Sequence, residues 1–143
     1  MYFVDKEVLL ERLGYIDGLT EGYTRTEGLA LERASHMLIE AVVDVGNMII
    51  DGFILRDPGS YQDVMDIMET EGVIPPEDNE RFMATFKWRV ELTRNYTSID
   101  HAGMKRDFNE NLSAYRDFRK NVYAFFENEG QAITAFKGDQ HDV

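Results

Sequence analysis

Apolar residues recur at steps of three and four over most of the chain, the spacing that gathers side chains on one face of an α-helix. Leu9, Leu13, Ile16, Leu19 and Tyr23 mark a first helix. Gly14 and Gly18 weaken it as helix formers and are expected to admit a closely packed neighbour. From about Glu27 to about Gly52, Leu31, Ala34, Leu38, Ala41, Val45 and Ile49 repeat in the same way. Met37, Val43, Ile50 and Ile54 lie off that stripe, so this helix needs burial on more than one side, either inside a bundle or against another subunit. A turn at Asp57 to Gly59 leads to a short helix with Ser60 as N-cap, Asp63 in the capping-box position and Gly72 as its stop. After the rigid connector VIPPED, a fourth helix starts near Pro76 or Glu77 and runs to about Arg94. Asp100 then caps a fifth, which carries Met104, Phe108, Leu112, Tyr115, Phe118, Val122 and Phe125 on one side.

The three prolines, Pro58, Pro75 and Pro76, all fall between these segments. The pattern therefore predicts an all-α protein, an up-and-down helical bundle of four long helices plus one short helix. With 143 residues, 43% of them hydrophobic, the chain can build one sizeable core. One domain over residues 1–129 is expected, followed by a solvated C-terminal tail at 130–143.

Charge narrows the functional classes. A formal net charge of −12 disfavours long-range attraction to DNA, RNA or an anionic membrane, so any RNA contact must be local. Cysteine is absent, which removes disulfides and thiolate metal sites. The start of the chain carries Asp5 and Lys6 and has no long apolar run, so neither a signal peptide nor a membrane span is expected and the chain reads as cytoplasmic. The histidines His36, His101 and His141 do not stand at ligand-pair spacing. Glu40 and Asp44 are one helical turn apart but lack an accompanying Glu-x-x-His pair, so no metal site and no cofactor are expected. Glycine-rich phosphate loops and Gly-x-Ser-x-Gly elbows are also missing.

One position breaks the apolar order. Phe82, Phe86, Arg89, Thr93 and Tyr96 fall at helical spacing, which sets a guanidinium in an otherwise mostly apolar stripe. A charge there needs either a partner, such as Asp44 or Glu40 of the second helix, or a wet cleft. Arg94, Asn95 and Tyr96 follow where the helix should end. They are either exposed polar tips or a basic terminus that complements the helix dipole. Tyr96 itself is either a packed aromatic or an accessible phenol.

The segment SYQDVMDIMETEGVIPPEDNERFMATFKWRVELTRNYTSID, Ser60 to Asp100, resembles the HepT-like branch of the HEPN superfamily. The preceding helix ALERASHMLIEAVVDVGNMIIDG shares the likeness, which extends over roughly residues 1 to 128. The resemblance implies a helical bundle that pairs as a symmetric homodimer. The family motif is an arginine, four to six residues, a histidine, one residue and a tyrosine. Arg89 matches the arginine and Tyr96 the tyrosine, while Arg94 stands in the histidine position and Val90 replaces the polar residue usual after the first arginine. Active members resemble metal-independent endoribonucleases, in which arginine clamps the scissile phosphate and histidine moves the proton of the attacking 2′-hydroxyl. A guanidinium cannot serve as that base, and loss of acid–base help typically forfeits about 10²–10⁴ in rate. Glu91 and His101 are the substitute bases to weigh, although Glu91 should point away from the stripe and His101 opens the next helix. The family also implies an MntA-like nucleotidyltransferase antitoxin that attaches AMP to the motif tyrosine, here Tyr96. Arg89, Arg94 and Tyr96 are therefore the candidate site of a toxin-derived protein with reduced or lost RNase activity. A non-catalytic nucleotide- or phosphate-binding partner subunit and a purely structural dimeric scaffold remain the alternatives.

Overall fold

The computed structural model describes residues 4–129, in which six α-helices and one 3₁₀ turn follow one another without a strand. They are α1 (Lys6–Gly22), the 3₁₀ turn (Tyr23–Arg25), α2 (Gly28–Gly52), α3 (Tyr61–Thr70), α4 (Pro76–Phe86), α5 (Trp88–Thr93) and α6 (His101–Asn128). The tail at 130–143, with His141, lies outside the described residues.

Local chemistry sets most of the boundaries. Asp5, Ser60 and Asp100 each accept a backbone N–H three residues on, from Val8 (3.1 Å), Asp63 (3.0 Å) and Gly103 (3.0 Å), and so cap α1, α3 and α6. The carboxylate of Asp63 turns back to the Gly59 N–H (2.9 Å) and grips Arg56 through both oxygens (2.7 Å each), one residue outside a standard capping box. Gly72 adopts φ +81° after α3 while the Val73 N–H reaches back to the Met68 carbonyl, a glycine-closed helix end. The corresponding left-handed position after α2 is held by Ile54 at φ 56°, a costly conformation for a β-branched residue.

The core joins the expected faces of α1, α2 and α6, and Phe82 stands edge-on to Tyr115 and Phe118. Helix α2 packs against α1, α3, α4, α5 and α6. Val43 and Ile50, which lie off its main stripe, are buried within this one chain. The central place of α2 in the bundle thus covers Val43 and Ile50, while Met37 is half-buried and Ile54 stays 78% exposed.

Two local expectations are corrected. The fourth helix is not continuous to Arg94: α4 stops at Phe86, Lys87 makes a turn, and α5 resumes for six residues. Just before the break the Thr85 hydroxyl back-bonds to the Phe82 carbonyl (2.9 Å) and meets the Tyr115 hydroxyl (2.7 Å), a competitor to the helical ladder that bends helices. Beyond it, Lys87 and Trp88 are tied to Asp107 of α6. Gly14 and Gly18 do not provide a close approach, since a Cβ on either would meet nothing within 4 Å. That role belongs to Gly46, where a Cβ would come 2.5 Å from Val64 Cγ1 of α3. Among the described residues no helix is long and apolar enough to cross a membrane.

Candidate functional site

The stripe that runs through Arg89 climbs out of the core. Phe82 is buried, Phe86 and Arg89 are intermediate, and Thr93 and Tyr96 are exposed. Arg89 therefore sits where the apolar face ends, its side chain 43% exposed, and its Nε donates to Glu40 Oε2 of α2 at 3.1 Å. Of the two carboxylates that could answer it, Asp44 is bound instead by Arg12 of α1. The guanidinium also lies over the Tyr61 ring of α3, 4.2 Å from its centroid.

Tyr61 completes the arrangement by donating its hydroxyl to the other Glu40 oxygen, Oε1, at 2.7 Å. Burial and the hydrogen bond to Glu40 raise the Tyr61 pKa, with Arg89 opposing, so the phenol stays a donor at neutral pH. A third group joins from the same helix: His36 Nε2 is 3.4 Å from Glu40 Oε2, one helical turn back. Glu40 thus gathers an arginine, a tyrosine and a histidine from three helices. The i, i+4 spacing of His36 and Glu40 could have shown the histidine; nothing in the chain order points to Tyr61.

Two grooves flank the cluster, and Tyr61 lines both. One, of about 640 Å³ between α1, α2 and α3, carries Glu11, Glu40 and Asp44 against Arg12, a poor lining for phosphate. The other, of about 560 Å³, is lined by Ser60, Tyr61, Gln62, Lys87 and Arg89 with apolar Met83 and Phe86, and contains two cations and no carboxylate. Both cations already face a carboxylate outside that lining, Arg89 with Glu40 and Lys87 with Asp107 (3.2 Å), so an anion bound there would share them with these acids.

The remaining motif residues lie just past α5. Arg94 is exposed and makes no side-chain hydrogen bond or ion pair among the described residues; Tyr96 is 64% exposed with its hydroxyl equally free. Neither is joined to Arg89 by a hydrogen bond, ion pair or ring contact within the chain. Val90 is exposed and Glu91 accepts from Asn95 (2.8 Å). His101 opens α6 with its Nε2 2.7 Å from Glu32 Oε2, two helical turns before Glu40 on α2. Among the described residues no group of three or more His, Asp or Glu is placed to hold a metal ion.

Comparison with known proteins places the chain in a family. The family described as ribonuclease HepT-like matches residues 9–122, a span that includes Arg89, Arg94 and Tyr96. YutE of Bacillus subtilis (strain 168), provisionally named an RNase, is 35% identical over 144 residues, covering 96% of this chain and 100% of its own. The solved structure of YutE from Bacillus subtilis, described as a cytosolic protein of unknown function, superposes with a TM-score of 0.84 at 34% identity, over 90% of this chain and 95% of that one. With a family match across most of its length and that relative covered end to end, the chain belongs to the HepT-like ribonuclease family.

Proposed function

We propose that this protein is a toxin-derived, cytoplasmic, homodimeric HepT-like endoribonuclease whose metal-independent activity is reduced by the loss of the motif histidine. One observation carries the reading: Arg89 is anchored through Nε and by stacking on Tyr61, yet remains 43% exposed beside a groove with two cations and no acid. A guanidinium held in that way is pre-organised to clamp a phosphodiester. Arg94, free and exposed, adds a second phosphate contact, supplied across the twofold axis of a dimer. It cannot accept a proton at neutral pH.

Tyr96 is the site at which an MntA-like nucleotidyltransferase antitoxin attaches AMP. An exposed phenol with a free hydroxyl suits an acceptor of that kind, and Arg89 and Arg94 offer charge to the phosphate it would carry. The experiment is cleavage of RNA by purified protein in the presence of a chelator. Arg89→Ala is expected to remove the activity; cleavage unchanged by that substitution would sink the nuclease reading. For the modification, incubation with ATP and the transferase is expected to add an adenylyl mass that Tyr96→Phe abolishes. Arg89-dependent RNA binding without any cleavage would favour the second reading, a non-catalytic phosphate-binding partner subunit, to which the arginine in the histidine position also points.

A further inference from the structure

Resting on the ribonuclease reading above, we propose that His36 of α2 is the general base of the Arg89 site, doing the proton transfer that Arg94 cannot. Nε2 of His36 and Nε of Arg89 lie 3.4 Å and 3.1 Å from the same atom, Glu40 Oε2. The imidazole and the phosphate clamp are therefore held side by side on one carboxylate. A carboxylate beside an imidazole steadies the positive charge that appears when the ring takes a proton. Neither ring nitrogen of His36 forms a hydrogen bond among the described residues, and the side chain is 30% exposed, so the ring can be reached from outside.

The other candidates are chemically unsuited or stand elsewhere. Arg94 stays protonated. Glu91 is bound by Asn95, and His101 stands on Glu32, not on the carboxylate that meets Arg89. The groups around His36 are Glu32 and Glu40 one turn either way on α2, Arg89 of α5, Tyr61 of α3, and His101 of α6 on Glu32.

The step balances without a metal. Neutral His36 accepts the proton of a ribose 2′-hydroxyl, the O2′–P bond forms, and the P–O5′ bond breaks. The products are a 2′,3′-cyclic phosphate and a 5′-hydroxyl that takes its proton from water, and the hydroxide so formed is neutralised by the proton that His36 gives up to return to its neutral form. Arg89 holds the non-bridging oxygens throughout.

The test compares the wild type with His36→Gln, His101→Gln and Arg89→Ala on a short oligoribonucleotide with chelator present. His36→Gln should lower kcat about 100-fold with KM nearly unchanged. It should also erase the acid limb of kcat/KM against pH that a required neutral imidazole produces. An acid limb that persists in His36→Gln, or leaves with His101→Gln, overturns the assignment while the Arg89-dependent nuclease stands. Absence of any Arg89-dependent cleavage removes the nuclease reading and the base together. Should His36→Gln fail to fold, the wild type is titrated by NMR with an uncleavable 2′-O-methyl oligonucleotide. The His36 ring nitrogens are expected to shift on binding, and Arg89-dependent binding that leaves them unmoved overturns the proposal.

Discussion

Glu40 uses both carboxylate oxygens, one for Tyr61 and the other for Arg89 and His36. The partly exposed ion pair contributes little to stability by itself; what the carboxylate supplies is position. Replacing it by an amide of the same shape should therefore disturb geometry and ionisation more than folding. Glu40→Gln removes the nearby negative charge and leaves at most a weaker, neutral hydrogen bond, the two influences of Glu40 that push the Tyr61 pKa upward, while burial still raises it and Arg89 still lowers it. The Tyr61 pKa should move down toward 10.0. NMR of ring-labelled tyrosine, with Tyr61→Phe to assign the signal, measures this directly; an unmoved Tyr61 would show that burial alone sets its ionisation. Arg89 was conspicuous in the sequence because one charge interrupted an apolar stripe. Tyr61 and His36 were not, because neither breaks any pattern of its own segment.

Helix packing separates glycines that look alike along the chain. Gly14 and Gly18 lie inside α1 with open space where a Cβ would be, whereas Gly46 lies inside α2 against Val64. In a helix interior alanine is favoured over glycine by about 0.8–1.0 kcal/mol, and overpacking a tight contact costs about 1–3 kcal/mol. The first effect acts alone at Gly14 and Gly18, so Gly14→Ala and Gly18→Ala should each raise the urea midpoint. At Gly46 the second wins, because Val64 is 2% exposed and stiff at χ1, and Gly46→Ala should lower the midpoint, by an amount equal to up to about 2 kcal/mol once the helix-propensity gain is subtracted. Adding Val64→Ala should relieve part of that loss, and strict additivity of the two changes would refute the contact as its cause. The caps of α3 and α6 were legible in the sequence since each acts within three residues. The break at Lys87 was not, since Thr85 is held by Tyr115 of α6, 30 residues away.

At the scale of the whole molecule, two buried phenols link the fold to alkaline pH. Tyr23 meets Ser35 at 2.7 Å and Tyr115 meets Thr85 at 2.7 Å, both without exposure to solvent. Burial raises the pKa of each from 10.0, Tyr23 to about 12 and Tyr115 further. The unfolded chain ionises these tyrosines near 10 and the folded chain does not, so their contribution is complete below about pH 10 and is lost as pH rises through the folded values. Urea midpoints should fall as pH rises from about 10 to about 12, and Tyr23→Phe should flatten that slope. A pH-independent midpoint over this range would contradict the neutral buried state. Sequence alone determined the helical class, the positions of most helices, the N-caps of α3 and α6 and the glycine stop of α3, because periodicity and capping act over a few residues. Only the tertiary structure decided which groups Arg89 meets. Glu40 and Asp44 stand one turn apart on α2 and either could have met it; the approach of Arg12 from α1 takes Asp44, and packing of α5 and α3 against α2 leaves Glu40 to unite Arg89 with Tyr61 and His36.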